Sequence, residues 1–237
     1  MRTFIAIATL TISVATSAGA ATVGTIGSSF ANDFLNANGH TASTVSSTAA
    51  ELADLDTVIL HRGGTGNQDL IDFVAAGGLL ITEWSSSAWV LNTASLLDAT
   101  DAGGGFVQTG TVISFTDAGL ATDLDELTGP SFSSVGATEF FRDFTNIGSS
   151  VDILATRPGD EATILGGSFG LGSVLILGYD WQDQGYSGVA DNGNEQLLLQ
   201  AVTYSASDIP APVPLPASAI LLMSAVGGTA FMRRRKS

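Results

Sequence analysis

Three stretches of the chain are apolar at consecutive positions: 57–60 (TVIL), 79–82 (LLIT) and 173–177 (SVLIL). Each is too short for a buried helix, and runs with apolar residues on both faces predict strands covered on both sides. Elsewhere the apolar positions recur at helical spacing. Phe30, Phe34 and Leu35 share one side of a helix over 28–38 that stops at Gly39, and Leu70, Phe73 and Val74 share one that stops at Gly77 and Gly78. Leu197, Leu198, Ala201, Val202 and Tyr204 form the apolar face of a third. Thr48 with Glu51, Thr65 with Gln68, and Asn192 with Glu195 have the spacing of capping boxes. A short strand is predicted at HTASTV (40–45). Doubly apolar strands separated by helices of about ten residues predict an α/β parallel sheet with helices on both faces.

The centre, 85–164, has no such rhythm. Strands are expected at 110–115 and 151–155, set among loops rich in Asp and Gly, so this stretch reads as an irregular central insertion. Residues 21–205 are long enough to bury one sizeable core and form one domain. ASDIPAP (206–212) follows as a linker.

The two ends follow a different pattern. Arg2, an apolar run from Phe4 to about Val14, and the small residues Ala18, Gly19 and Ala20 have the layout of a signal peptide over 1–20. Residues 213–232 carry no charge, the length of a transmembrane helix at about 1.5 Å per residue, although two prolines confine its firm part to 217–232. Arg233, Arg234, Arg235 and Lys236 then form a basic stop that would stay in the cytoplasm.

Composition narrows the chemistry of the middle. All 23 acidic side chains lie between Asp33 and Asp208 and face only Arg62, Arg142 and Arg157, a formal surplus of twenty negative charges. That field repels nucleic acid and attracts divalent cations. Cysteine is absent, which removes disulfides, thiolate nucleophiles and zinc–thiolate sites.

The tail VPLPAS, its apolar stretch and RRRK resemble the VPLPA-type sorting signals of the PEP-CTERM class. The resemblance implies that Val213, Pro214, Leu215, Pro216 and Ala217 are the motif recognised by an exosortase-type membrane enzyme after Sec-dependent export. It also implies a Gram-negative cell, a membrane-anchored intermediate, and a final place at the cell surface or outside it. The segments GHTASTV, DLDTVILHRGG, LIDFVAAGGLLITEW and GSVLILGYDW with NEQLLLQAVTY resemble the class I glutamine-amidotransferase-like superfold, notably its trehalose-utilisation-like branch. This implies a flavodoxin-like sheet with functional residues at the C-terminal strand ends. The catalytic cysteine of that family has no counterpart, because Glu83 runs into Trp84, Ser85, Ser86 and Ser87 without a nucleophile elbow.

His61, Glu83 and Asp180 each follow or end a predicted strand and are the candidate catalytic group, able to move protons or bind a cation; an Arg62–Glu83 ion pair is the structural alternative. Trp84, Trp89, Trp181, Tyr179 and Tyr186 lie near the same ends, as sugar-stacking rings or as core. His40, behind Gly39, reads as a strand-entry residue. In DWQDQGYSGVAD, Asp180, Asp183 and Asp191 are candidate ligands for weak calcium binding, in a loop whose glutamines depart from the EF-hand pattern. No phosphate-binding fingerprint is present. The expectation is a noncatalytic exported domain associated with surface polysaccharide; the alternative is a hydrolase that acts on a glycan through His61, Glu83 and Asp180.

Overall fold

The three consecutive apolar runs become adjacent strands in the middle of one sheet. The computed structural model describes residues 19–107, 110–133, 140–181 and 192–206. Its strands are β1 (Thr22–Ile26), β2 (Thr41–Thr44), β3 (Thr57–Leu60), β4 (Leu79–Glu83), β5 (Thr100–Phe106), β6 (Val112–Phe115), β7 (Ser131–Ser133), β8 (Phe140–Thr145), β9 (Asp152–Arg157), β10 (Glu161–Phe169) and β11 (Gly172–Leu177). Its α-helices are α1 (Asn32–Ala37), α2 (Ala49–Leu52), α3 (Gln68–Ala75), α4 (Asp117–Leu120) and α5 (Gly193–Ala201).

Nine strands form a single mixed sheet in the order β2-β1-β3-β4-β11-β10-β9-β6-β7, and β5 pairs with β8 in a separate ribbon. From β2 to β11 every pairing is parallel; from β11 to β7 every pairing is antiparallel. Every residue of β3, β4 and β11 is buried. Their side chains alternate between two cores. Val58, Leu60, Leu80, Val174 and Ile176 pack with Leu52, Leu70 and Val74 of α2 and α3. Ile59, Ile81, Leu175 and Leu177 pack with Phe34, Leu35, Leu197 and Leu198 of α1 and α5. A strand between two helical layers has no wet face, which is why these runs do not alternate.

This corrects the expected fold class. The sheet is not flavodoxin-like and parallel throughout, and 85–164 is not an irregular insertion: it supplies β6, β7, β9 and the start of β10, the antiparallel half of the sheet, together with the ribbon. The strands expected at 110–115 and 151–155 are β6 and β9, and glycine hid β5 and β10. β5 reads TDAGGGF and β10 EATILGGSF, glycine is disfavoured in strands, and β9 and β10 pair through register shifts that break the period of two. The expected C-terminal transmembrane helix is likewise withdrawn from the fold. Among the described residues no helix is long and apolar enough to cross a membrane, and the segment in question, 217–232, lies outside them with residues 1–18, the linker positions 207–212, the sorting motif and the basic stop.

Cap chemistry also differs in part. Asn192 accepts from the backbone N–H of Asn194 and Glu195, both at 3.1 Å, and starts α5. The cap of α3 is Asn67, whose Oδ1 accepts from Leu70 N at 3.1 Å, rather than Thr65. Thr48 makes no side-chain cap to α2, because Glu51 turns back to Ser46 N at 2.6 Å and to the Ser46 hydroxyl. Phe30, expected on the buried side of the first helix, precedes α1 and is 44% exposed.

Candidate functional site

β3, β4 and β11 are neighbours, so the residues that leave their C-terminal ends meet. After β3 come His61 and Arg62, β4 ends in Glu83, and Asp180 lies three residues beyond β11. Arg62 joins them. Its backbone N–H donates to Glu83 Oε2 at 2.7 Å and its Nη1 to Asp180 Oδ2 at 2.6 Å, while its Nε is 3.8 Å from Glu83 Oε1. The tight contact is thus with Asp180, and the expected Arg62–Glu83 pairing runs mainly through the backbone.

Glu83 and Asp180 are almost completely buried, whereas the Arg62 side chain is 25% exposed. Burial, followed by a hydrogen bond to the Asp180 carboxylate, pushes the Glu83 carboxyl up to about 8 against the opposing pull of the Arg62 N–H and guanidinium. Glu83 Oε1 and Asp180 Oδ1 are buried and receive no conventional donor among the described residues.

His61 is fully buried, with its ring 5.3 Å from that of Trp181 at a tilt of 50°. His40 is at the other end of the sheet, where its Nδ1 accepts from Ala21 N at 3.1 Å ahead of β2. Of the calcium candidates, Asp183 and Asp191 lie outside the described residues, and Asp180 is committed to Arg62 and Glu83. Among the described residues no group of three or more His, Cys, Asp or Glu is arranged to hold a metal ion.

Sequence reasoning missed how the central residues build one side of this site. β8 runs beside the chain that leaves β11: Arg142 N donates to Gly178 O at 2.7 Å and Asp180 N to Phe140 O at 2.9 Å, with Phe141 bridged to Tyr179. Phe140 thereby reaches Trp84, their ring centroids 5.7 Å apart. Behind them Arg142 grips Asp101 through Nε, at 3.1 and 3.0 Å, and through Nη2 at 2.6 Å. The one available signal was charge: Arg142 is one of only three arginines facing the acidic domain.

A cavity of about 780 Å³ opens at the opposite end of the sheet, lined by Thr57, Leu79 and Ser173 at or near the strand starts, with Asp56, Asp69 and Asp72 on its rim. Size does not make it the better site. Asp56 accepts from Thr22 N at 2.7 Å and Asp69 from Ala49 N at 2.9 Å, so these two carboxylates already serve the fold.

No family model matches the chain, and no curated protein does. Similarity is found among solved structures. A cytoplasmic protein from Salmonella typhimurium is 10% identical, with 78% of this chain and 99% of that one covered and a TM-score of 0.54. A ThuA-like protein from Bacteroides uniformis is 10% identical, with coverage of 83% and 98% and a TM-score of 0.54. A β-galactosidase from Bacillus circulans is 13% identical with a TM-score of 0.52, and the match covers 76% of this chain but only 30% of that enzyme. At such identities the likeness is one of fold. The sequence resemblances to the PEP-CTERM class and to the amidotransferase-like superfold are therefore corrected, since no family model carries either. The exported, membrane-anchored localisation is withdrawn with them: it rested on segments outside the described residues, and no helix among the described residues is long and apolar enough to cross a membrane. What the chain shares with known proteins is an α/β scaffold that enzymes, a β-galactosidase among them, also use.

Proposed function

We propose that the chain is a hydrolase acting on a glycan, with the Glu83–Asp180 carboxyl pair as its reacting groups. This replaces the noncatalytic surface domain expected from the sequence, which the buried charged cluster and the glycosidase among the similar structures oppose. The observation that carries the reading is the Glu83 carboxyl, pushed up to about 8 beside Asp180 and Arg62 at the C-terminal ends of adjacent parallel strands. A carboxyl that holds its proton near neutral pH is a general acid.

In this mechanism Glu83 gives its proton to the glycosidic oxygen as the bond to the anomeric carbon breaks. Water adds to that carbon and returns a proton to the carboxyl pair, so the pair ends as it began. Both carboxyls contact the one Arg62, Glu83 through the Arg62 backbone N–H at 2.7 Å and Asp180 through Arg62 Nη1 at 2.6 Å, rather than standing apart across a sugar ring. They therefore serve one face of the substrate. Arg62 holds Asp180 in place and is the polar group of the cluster that reaches solvent.

Release of reducing sugar from a β-linked galacto-oligosaccharide tests the reading. Glu83→Gln and Asp180→Asn are each expected to lower kcat by about a hundredfold or more while the fold is retained. Unchanged turnover in Glu83→Gln, or no release by the parent protein across α- and β-linked oligosaccharides, would remove it.

A further inference from the structure

We infer that the tilted rings of Trp84 and Phe140 form an aromatic contact for a pyranose ring beside the carboxyl pair, held in place by a strained turn after β4. This rests on the reading of the site as glycan-acting and adds how the sugar is held.

Trp84 has a φ of +40°, a region that bulky residues rarely enter. Such strain persists only where the surroundings over-determine it, and it gathers at functional sites. The surroundings here do so. Glu83 N donates to Ser86 Oγ at 2.9 Å, and Ser86 Oγ donates to Leu60 O at 2.6 Å, which ties the turn to β3. Ser87 Oγ lies 2.6 Å from Trp84 O and 2.5 Å from Asp101 Oδ2, and Asp101 is itself gripped by Arg142. A glycine or asparagine would satisfy this backbone with less strain, so the indole needs a reason of its own.

Packing does not supply that reason. Trp181 is 1% exposed and belongs to one core. Trp89 lies over Gly66, where an added Cβ would come within 2.2 Å of its ring, and it packs against the other core. Trp84 is half-buried and belongs to neither. Its indole meets the Phe140 ring and stands 6.0 Å from the Arg62 guanidinium. Phe140 is 37% exposed, and its ring is tilted 50° to the indole. The indole Nε1 is buried and finds no acceptor among the described residues. Partly exposed aromatic rings beside an arginine match the chemistry of a pyranose, which offers a C–H face to a ring and hydroxyls to a guanidinium.

The test separates holding from turnover by using Glu83→Gln as the parent and measuring binding of β-1,4-galactotetraose by calorimetry. Adding Trp84→Ala is expected to raise Kd by about tenfold or more, and Trp84→Phe by no more than about threefold. Trp84→Gly, which relieves the backbone, is expected to bind as poorly as Trp84→Ala without a lower Tm. Equal affinity in all variants, or no binding by the parent, would overturn the aromatic contact. So would a Tm that falls by about 5 °C in Trp84→Gly with affinity unchanged, because that marks a structural tryptophan. Hydrolysis by the native protein with a KM indifferent to Trp84→Ala would sink the aromatic contact and leave the hydrolase standing. Trp84-dependent binding without hydrolysis by the native protein would do the reverse.

Discussion

The Glu83 carboxyl makes folding itself depend on pH. Its value in the folded chain, about 8, lies above the ordinary 4.5, so between those values the folded state holds a proton that the unfolded state has released. Stability must then fall as pH rises through that window and level off above it. The opposite slope is usual for a carboxylate held by a cation. Urea unfolding from pH 4.5 to 8.5 is expected to show this decline in the native chain and a flatter profile in Glu83→Gln. An unchanged slope in the variant would mean that other groups set the dependence and that Glu83 titrates normally.

At the scale of elements, the caps separate residues of similar appearance. Asn67 and Asn192 accept from backbone N–H groups that α3 and α5 would otherwise leave unpaired, whereas Thr48 accepts from none at α2. Substitution by alanine is expected to cost about 1 kcal/mol at Asn67 and at Asn192 and clearly less at Thr48. Chemical denaturation with a common m-value measures all three. The Thr48–Glu51 spacing was a sound motif, but the Ser46 hydroxyl and N–H offered Glu51 a nearer partner. Local spacing names the residues able to cap; competition among neighbours decides which one does.

At the scale of the whole molecule, the domain and its linker carry 23 acidic side chains against three arginines. All three are engaged, Arg62 with Asp180, Arg142 with Asp101 and Arg157 with Asp143. The remaining carboxylates repel one another in the compact state. Raising sodium chloride from 20 to 300 mM, roughly a fourfold shortening of the screening length, is expected to raise the unfolding midpoint. No rise would mean that the charges are too dispersed to matter. Weak calcium binding through Asp180, Asp183 and Asp191 stays a proposal, and the same assay separates it from screening: a site requires calcium to exceed magnesium at equal ionic strength.

The sequence by itself determined the strands β3, β4 and β11 and the helices α3 and α5. Burial on both faces leaves a continuous apolar run, burial on one face leaves a helical stripe, and both marks are local. It also singled out His61, Glu83 and Asp180 as residues at or just beyond strand ends, with Arg62 as an ion-pair partner for Glu83. Only the tertiary structure decided that the glycine-rich centre completes the sheet, because glycine runs and register shifts blur the period of two in those strands. It also decided the chemistry of the site. Asp180 and Glu83 are 97 positions apart in the chain, and the raised Glu83 carboxyl arises from the parallel pairing of β4 with β11 and from the burial it imposes. Trp84 and Phe140 meet for the same kind of reason, since β8 pairs with the segment beyond β11. A contact set by the register of non-adjacent strands leaves no periodic trace in the sequence.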